Sequence, residues 1–117
     1  LSDKPVQLLA RAELDLRRAT AWYRAEVGEA MALKWANAAM AALRRIGSNP
    51  RAGSPRYSAV LILAGLRSWP VSRFPYLLFY IERETQVDVW RVLHARRDTP
   101  AWMGSATSAA PQARKKK

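Results

Sequence analysis

The chain predicts an α+β domain: an N-terminal strand and an α-helical hairpin packed on a small antiparallel β-sheet. Three observations carry this. Apolar residues recur at helical spacing through residues 12–46, with almost no linker between two periodic runs. After Leu66 the pattern changes to strand-like alternation. Between the two regions lies a stretch of prolines, glycine and small polar residues. Helices grouped before strands make a layered α+β arrangement, and 117 residues suffice for one core.

Residues 5–10 form a short apolar run suited to an edge strand leading into the first helix. In residues 12–27, Ala12, Leu16, Ala19 and Tyr23 share one helical face. Glu13 and Asp15 complement the positive end of that helix's dipole, and Gly28 is placed to cap it. The second helix spans residues 29–46, with a face of Leu33, Ala36, Met40 and Leu43 bordered by Trp35, Ala39, Ala42 and Ile46. Arg44 and Arg45 suit its last turn, and Gly47 is expected to break it. So short a connection requires an antiparallel hairpin. Residues 48–58 read as turn chemistry. A strand at residues 66–74 is interrupted by Pro70 and Pro75, so it is bulged or at an edge. Residues 77–82 and 87–94 are two strong strands joined by a polar hairpin. Alternation within 87–94 puts Asp88, Trp90, Val92 and His94 on one side and Val89, Arg91 and Leu93 on the other. Both sides mix polar and apolar residues, so the sequence leaves open which meets the helices. With the hairpin on one face of the meander, the other face is expected to be free for function.

The charge is strongly positive, +11, and unevenly placed. Residues 1–43 hold six basic and five acidic side chains, whereas residues 44–97 hold ten basic and three acidic. Such a surface suits an acidic partner, either nucleic acid or an acidic protein segment. No apolar run approaches the ~18 residues of a membrane span, and the N-terminus lacks a signal-peptide layout. With no cysteine, a disulfide framework and a thiolate metal site are excluded; the cytoplasm is the expected compartment. Residues 104–117, small, polar and basic, are expected to be a disordered tail behind a domain of residues 1–103.

Few chemistries remain. One histidine and scattered carboxylates give no metal-ligand spacing, and no glycine-rich phosphate loop or nucleophile elbow is present. No cofactor is expected. Metal-free RNA cleavage survives as an option, with Arg67, Arg73, Arg91 and Arg97 as cations and His94 or Tyr80 as acid or base. Structural roles compete. A histidine at a strand end is commonly hydrogen-bonded, and strand arginines commonly pair with carboxylates such as Glu82, Glu84 or Asp88. Trp22, Tyr23 and Trp35 are core or groove aromatics of the helix hairpin.

Taken in order, Ala12-x-x-Asp15-Leu16, Tyr23, Pro50-x-x-Gly53, Gly65-Leu66-Arg67, Arg73-Phe74-Pro75-Tyr76, Tyr80 and Arg91-Val92-Leu93-His94 with Arg97-Asp98 resemble the ParE branch of the RelE/ParE toxins. The resemblance spans about residues 6–102 and implies the same hairpin-on-sheet fold. It also implies the toxin of a type II toxin–antitoxin module that inhibits DNA gyrase by binding. A ParD-like antitoxin would neutralise it in a hetero-oligomer. Implied target- or antitoxin-binding residues are Arg67, Arg73, Tyr80, Arg91, His94, Arg96 and Arg97, with Trp22, Tyr23 and Trp35 forming an antitoxin groove on the hairpin. The alternative is a ribosome-dependent messenger RNA endoribonuclease of RelE type using Arg67, Arg73, Arg91 and His94. The RelE-like pattern also needs a lysine or glutamate ahead of the sheet arginines and a C-terminal tyrosine. Residues 51–65 contain no lysine or carboxylate, and no tyrosine follows His94. A third possibility is a non-toxic partner that titrates an antitoxin.

Overall fold

The computed structural model describes residues 3–98; the tail assigned to residues 104–117 lies outside them. Its elements are β1 (Val6–Leu8), α1 (Ala10–Glu26), α2 (Glu29–Ser48), α3 (Arg56–Val60), β2 (Leu66–Pro70), β3 (Tyr76–Glu82) and β4 (Val87–His94). The sheet order is β1-β4-β3-β2. The last three strands form the expected antiparallel meander, while β1 adds in parallel to β4. The α+β class therefore holds, with a mixed four-stranded sheet.

The hairpin buries small residues where its helices approach and aromatics where it meets the sheet. Val27 and Gly28 both donate to the Tyr23 carbonyl and close α1. Ala12, Ala19 and Tyr23 of α1 join Ala32, Trp35, Ala39, Ala42, Leu43 and Ile46 of α2 in the main core. The α2 stripe expected to border the apolar face is thus the core stripe. Leu33 and Met40 are instead 60% and 51% exposed. Trp35 decides this rotation, because the largest side chain gains most from burial. Its indole N–H donates to the Thr20 hydroxyl at 3.0 Å, so it is buried without an unmet donor.

Gly47 does not end α2, which continues to Ser48. It is buried where a Cβ would lie 3.0 Å from both the Lys4 carbonyl and Val6 Cγ2, so glycine lets β1 approach the helix. The first strand of the meander stops at Pro70, not Phe74. Phe74 and Tyr76 turn inward, with ring centroids 5.4 and 4.7 Å from Trp35.

The sheet face away from the hairpin is not free. Leu61, Leu66, Phe79, Trp90 and Leu93 form a second core, with Tyr57 and Leu63 packed on it. A 3-10 turn at Pro50–Ala52 and α3 occupy the region read from sequence as turns. A register shift between Phe79 and Tyr80 explains why alternation misassigned the faces of β4. Tyr80 pairs with Val89 but Phe79 with Arg91, leaving Trp90 as the extra residue. Val89 and Val92 then share the hairpin core, and Trp90 and Leu93 the second one.

Tyr80 joins these layers. Fully buried, its hydroxyl accepts the Gly53 amide at 2.9 Å and donates to the Pro50 carbonyl at 2.7 Å. A Cβ on Gly53 would stand 2.2 Å from that hydroxyl. Replacing Tyr80 with phenylalanine strands two backbone groups and is expected to cost about 1–3 kcal/mol in urea unfolding. Gly53→Ala should cost at least as much, because the new methyl must expel the hydroxyl from its place.

Candidate binding cleft

The outer edge of β4 positions the site. β1 pairs only with Val87–Val89, so beyond that point β4 would present bare amides. Two carboxylates take them. Asp15 Oδ2, on α1, accepts the Val92 N–H at 2.9 Å, and Asp98 Oδ2 accepts the His94 N–H at 2.8 Å. The bulge that shifts the register at Trp90 also brings the Arg91 guanidinium against α1. Its Nε and Nη2 donate to the two Asp15 oxygens at 2.8 and 3.1 Å. The two side chains are only 11% and 16% exposed. One carboxylate thus docks α1 on the sheet, neutralises Arg91 and closes the strand edge.

Beside this pair, α1 and β4 bound a cleft of about 700 Å³. Arg11, Asp15, Arg18 and Trp22 line its α1 side, and Arg91, Arg97 and Asp98 line the other. Four guanidiniums therefore face two carboxylates. Asp15 is occupied by Arg91, and Asp98 accepts from Arg97 Nε at 3.2 Å. The side chains of Arg11 and Arg18 have no hydrogen-bond or ion-pair partner among the described residues, and Trp22 is 49% exposed. The cleft offers an excess of positive charge around an indole.

The turn after β4 is organised by His94. Its Nδ1 accepts the amides of Arg96 at 3.1 Å and Arg97 at 2.9 Å. Burial, followed by the charge of Arg97, holds the ring below the ordinary histidine range, while Asp98 opposes the shift. In the neutral ring the proton then sits on Nε2. Arg97 Nη2 donates to the Tyr76 hydroxyl at 3.4 Å, and this contact, with the pull of Asp98, raises the guanidinium's already high value.

The residues singled out from sequence fall in separate places. Arg91, His94, Arg96 and Arg97 lie on β4 or its following turn, and Arg91 and Arg97 enter the cleft. Arg67 is on β2, at the opposite sheet edge, where Nη1 donates to the Gly53 carbonyl at 2.8 Å. Arg73 is exposed in the β2–β3 turn at φ 72°. The expected arginine set of Arg67, Arg73 and Arg91 is therefore not brought together. Tyr80 is buried and bound on both sides of its hydroxyl, and burial pushes its pKa up. It holds a loop and offers nothing to a partner. Trp22 is a surface residue, but Tyr23 and Trp35 are 9% and 0% exposed and belong to the core. The sequence does not single out Arg11 and Arg18, and it marks Asp15 as a dipole complement and a motif residue but not as the partner of Arg91. No group of three potential metal ligands occurs among the described residues, and no described helix is long and apolar enough to cross a membrane.

A family model described as ParE toxin of type II toxin–antitoxin system, parDE, matches residues 6–99. The chain belongs to the ParE toxin family. A solved structure described as the chromosomal ParDE toxin–antitoxin system from P. aeruginosa shares the fold, with a TM-score of 0.68 and 17% identity. The match covers 80% of this chain and 97% of that one. No curated protein sequence matches. Within this ParE toxin the motif residues find physical roles: Asp15 and Arg91 clamp α1 to β4, Phe74 and Tyr76 plug the hairpin, and His94 and Asp98 build the last turn.

Asp15→Ala would leave Arg91 half-buried without its counter-charge and the Val92 amide without an acceptor. It is expected to destabilise this ParE toxin by about 3 kcal/mol or more in urea unfolding. Asp15→Asn retains an acceptor for Val92 and should cost clearly less.

Proposed function

We propose that this ParE-type toxin acts by binding DNA gyrase, not by catalysis, and that a ParD-like antitoxin neutralises it in a hetero-oligomer in the cytoplasm. The observation that carries the reading is the cleft, which gathers cations while the acid and base candidates singled out from the sequence are engaged in structural contacts. His94 shares its Nδ1 lone pair with two amides, Tyr80 is buried, and Asp15 and Asp98 are held as acceptors. General acid–base chemistry needs a group free to exchange a proton with the substrate. An arrangement of clustered guanidiniums suits recognition of carboxylates instead. Membership in the ParE family supports gyrase as the target and a ParD-like protein as the partner.

The antitoxin segment that fits is acidic and carries an apolar side chain for Trp22. Its carboxylates would meet Arg11 and Arg18, which no side chain of the described residues neutralises. Disordered acidic segments of this kind order on binding and gain most where charge and an aromatic anchor coincide.

In a purified supercoiling assay, the toxin is expected to leave relaxed plasmid unconverted by gyrase, and added antitoxin to restore conversion. Normal supercoiling at a molar excess of toxin would contradict the target. Reversing Arg11 and Arg18 together to glutamate should weaken antitoxin binding by about tenfold. Unfolding stability should remain within about 0.5 kcal/mol, because both side chains are exposed and unpaired. Isothermal titration and urea melts of the same variant check both expectations.

A further inference from the structure

We propose that His94 is a positioning residue: its neutral ring holds Arg96 and Arg97 where they meet an acidic partner, and acidification releases this cationic turn. The proposal rests on the reading of the cleft as an acidic-segment site and adds its regulation.

The geometry is a closed circuit within five residues. Nδ1 lies 3.1 and 2.9 Å from the Arg96 and Arg97 amide nitrogens, and a ring nitrogen accepts only when unprotonated. From the other side, Asp98 accepts the His94 amide at 2.8 Å and Arg97 Nε at 3.2 Å. Arg97 also reaches Tyr76, so the residue is held at the cleft wall twice over: its backbone amide by His94, and its guanidinium by Asp98 and the phenol. A proton on Nδ1 would set one donor against two, and the turn would have to open.

The charged and titratable groups around the ring favour its neutral form. Arg96, Arg97 and Asp98 come from its own turn, and Tyr76 of β3 lies edge-on with its ring centroid 5.2 Å away. Across the cleft stand Arg11, Asp15 and Arg18 of α1, Arg91 lies further back along β4, and Tyr23 sits behind Tyr76. Burial and Arg97 lower the folded value, and Asp98 only partly offsets them. Folding therefore favours the neutral ring. Its stabilising contribution is complete above about pH 6.5 and is lost as pH falls through the lowered folded value.

Two measurements on the full chain test this. In ¹⁵N-resolved NMR from pH 7.5 to 5, the Arg96 and Arg97 amides should move together, with the ring's own midpoint, below about pH 6.5. At pH 7.5 the ring should be the Nε2–H tautomer. Affinity for a hexaglutamate peptide should fall about two- to fivefold between pH 7.5 and 5.5, the loss expected for exposed charge contacts. His94→Asn retains a side-chain acceptor and does not titrate. Measured in parallel, it should bind with the wild-type affinity of pH 7.5 and lose the wild type's pH-dependent fall. Added charge on the ring would by itself tighten binding to hexaglutamate. A rise in affinity on acidification therefore overturns the positioning role. So do amides whose midpoints differ from the ring's, or a His94→Asn protein with the wild-type pH dependence. If hexaglutamate binds at no pH, the acidic-segment reading of the cleft fails, and the amide titration still decides the role of His94.

Discussion

The Asp15 carboxylate is the contact on which the arrangement depends. It joins a helix near the start of the chain to a strand 76 residues later through Arg91, and it occupies the strand edge through the Val92 amide. Without it, β4 would run past the end of β1 with an open edge, which invites strand addition from another chain. Asp98 repeats the device two residues further on, at the His94 amide. The cleft exists because these side chains, and not another strand, complete the edge. Arg11 and Arg18 of α1 face Arg97, just beyond β4, across that cleft.

The same contacts support the proposed binding role of the cationic sheet over a catalytic one. The guanidinium most central to the site is committed to Asp15, Arg67 is committed to a backbone carbonyl at the far edge, and Arg73 stands in an exposed turn. The two groups singled out from the sequence for proton transfer carry structure. Tyr80 anchors the 3-10 turn, and His94 organises the turn after β4. The remaining positive charge around Trp22 is displayed by Arg11, Arg18 and Arg97, without neutralising neighbours in equal number. Under-neutralised guanidiniums present planar forks that match carboxylates, which favours binding.

Much of the fold was legible because its periodicity is strong. The two helices, the hairpin connection and the three antiparallel strands all follow from the spacing of apolar residues. What periodicity could not supply was the rotation of α2, because Leu33 and Met40 compete with Trp35 as apolar markers and only packing against the sheet decides. Nor could it supply the bulge at Trp90, since one extra residue exchanges the faces of all that follow. Gly47 looked like a helix stop because its real reason, the approach of β1, lies in another element. In the site, Arg91, His94 and Arg97, singled out from the sequence, lie in one region, but the sequence does not reveal what Arg91 pairs with. Asp15 is separated from Arg91 by most of the chain, and exposed arginines such as Arg11 and Arg18 carry no local signal distinguishing them from an ordinary solvated helix face.

Binding and cutting make opposite demands on the same arginines, and a translating extract separates them directly. With saturating toxin and a defined messenger, primer extension is predicted to show intact RNA throughout the reading frame. Codon-positioned cleavage that depends on the toxin would contradict the account, because it would require a proton-transfer group that the cleft, as built, holds in structural contacts.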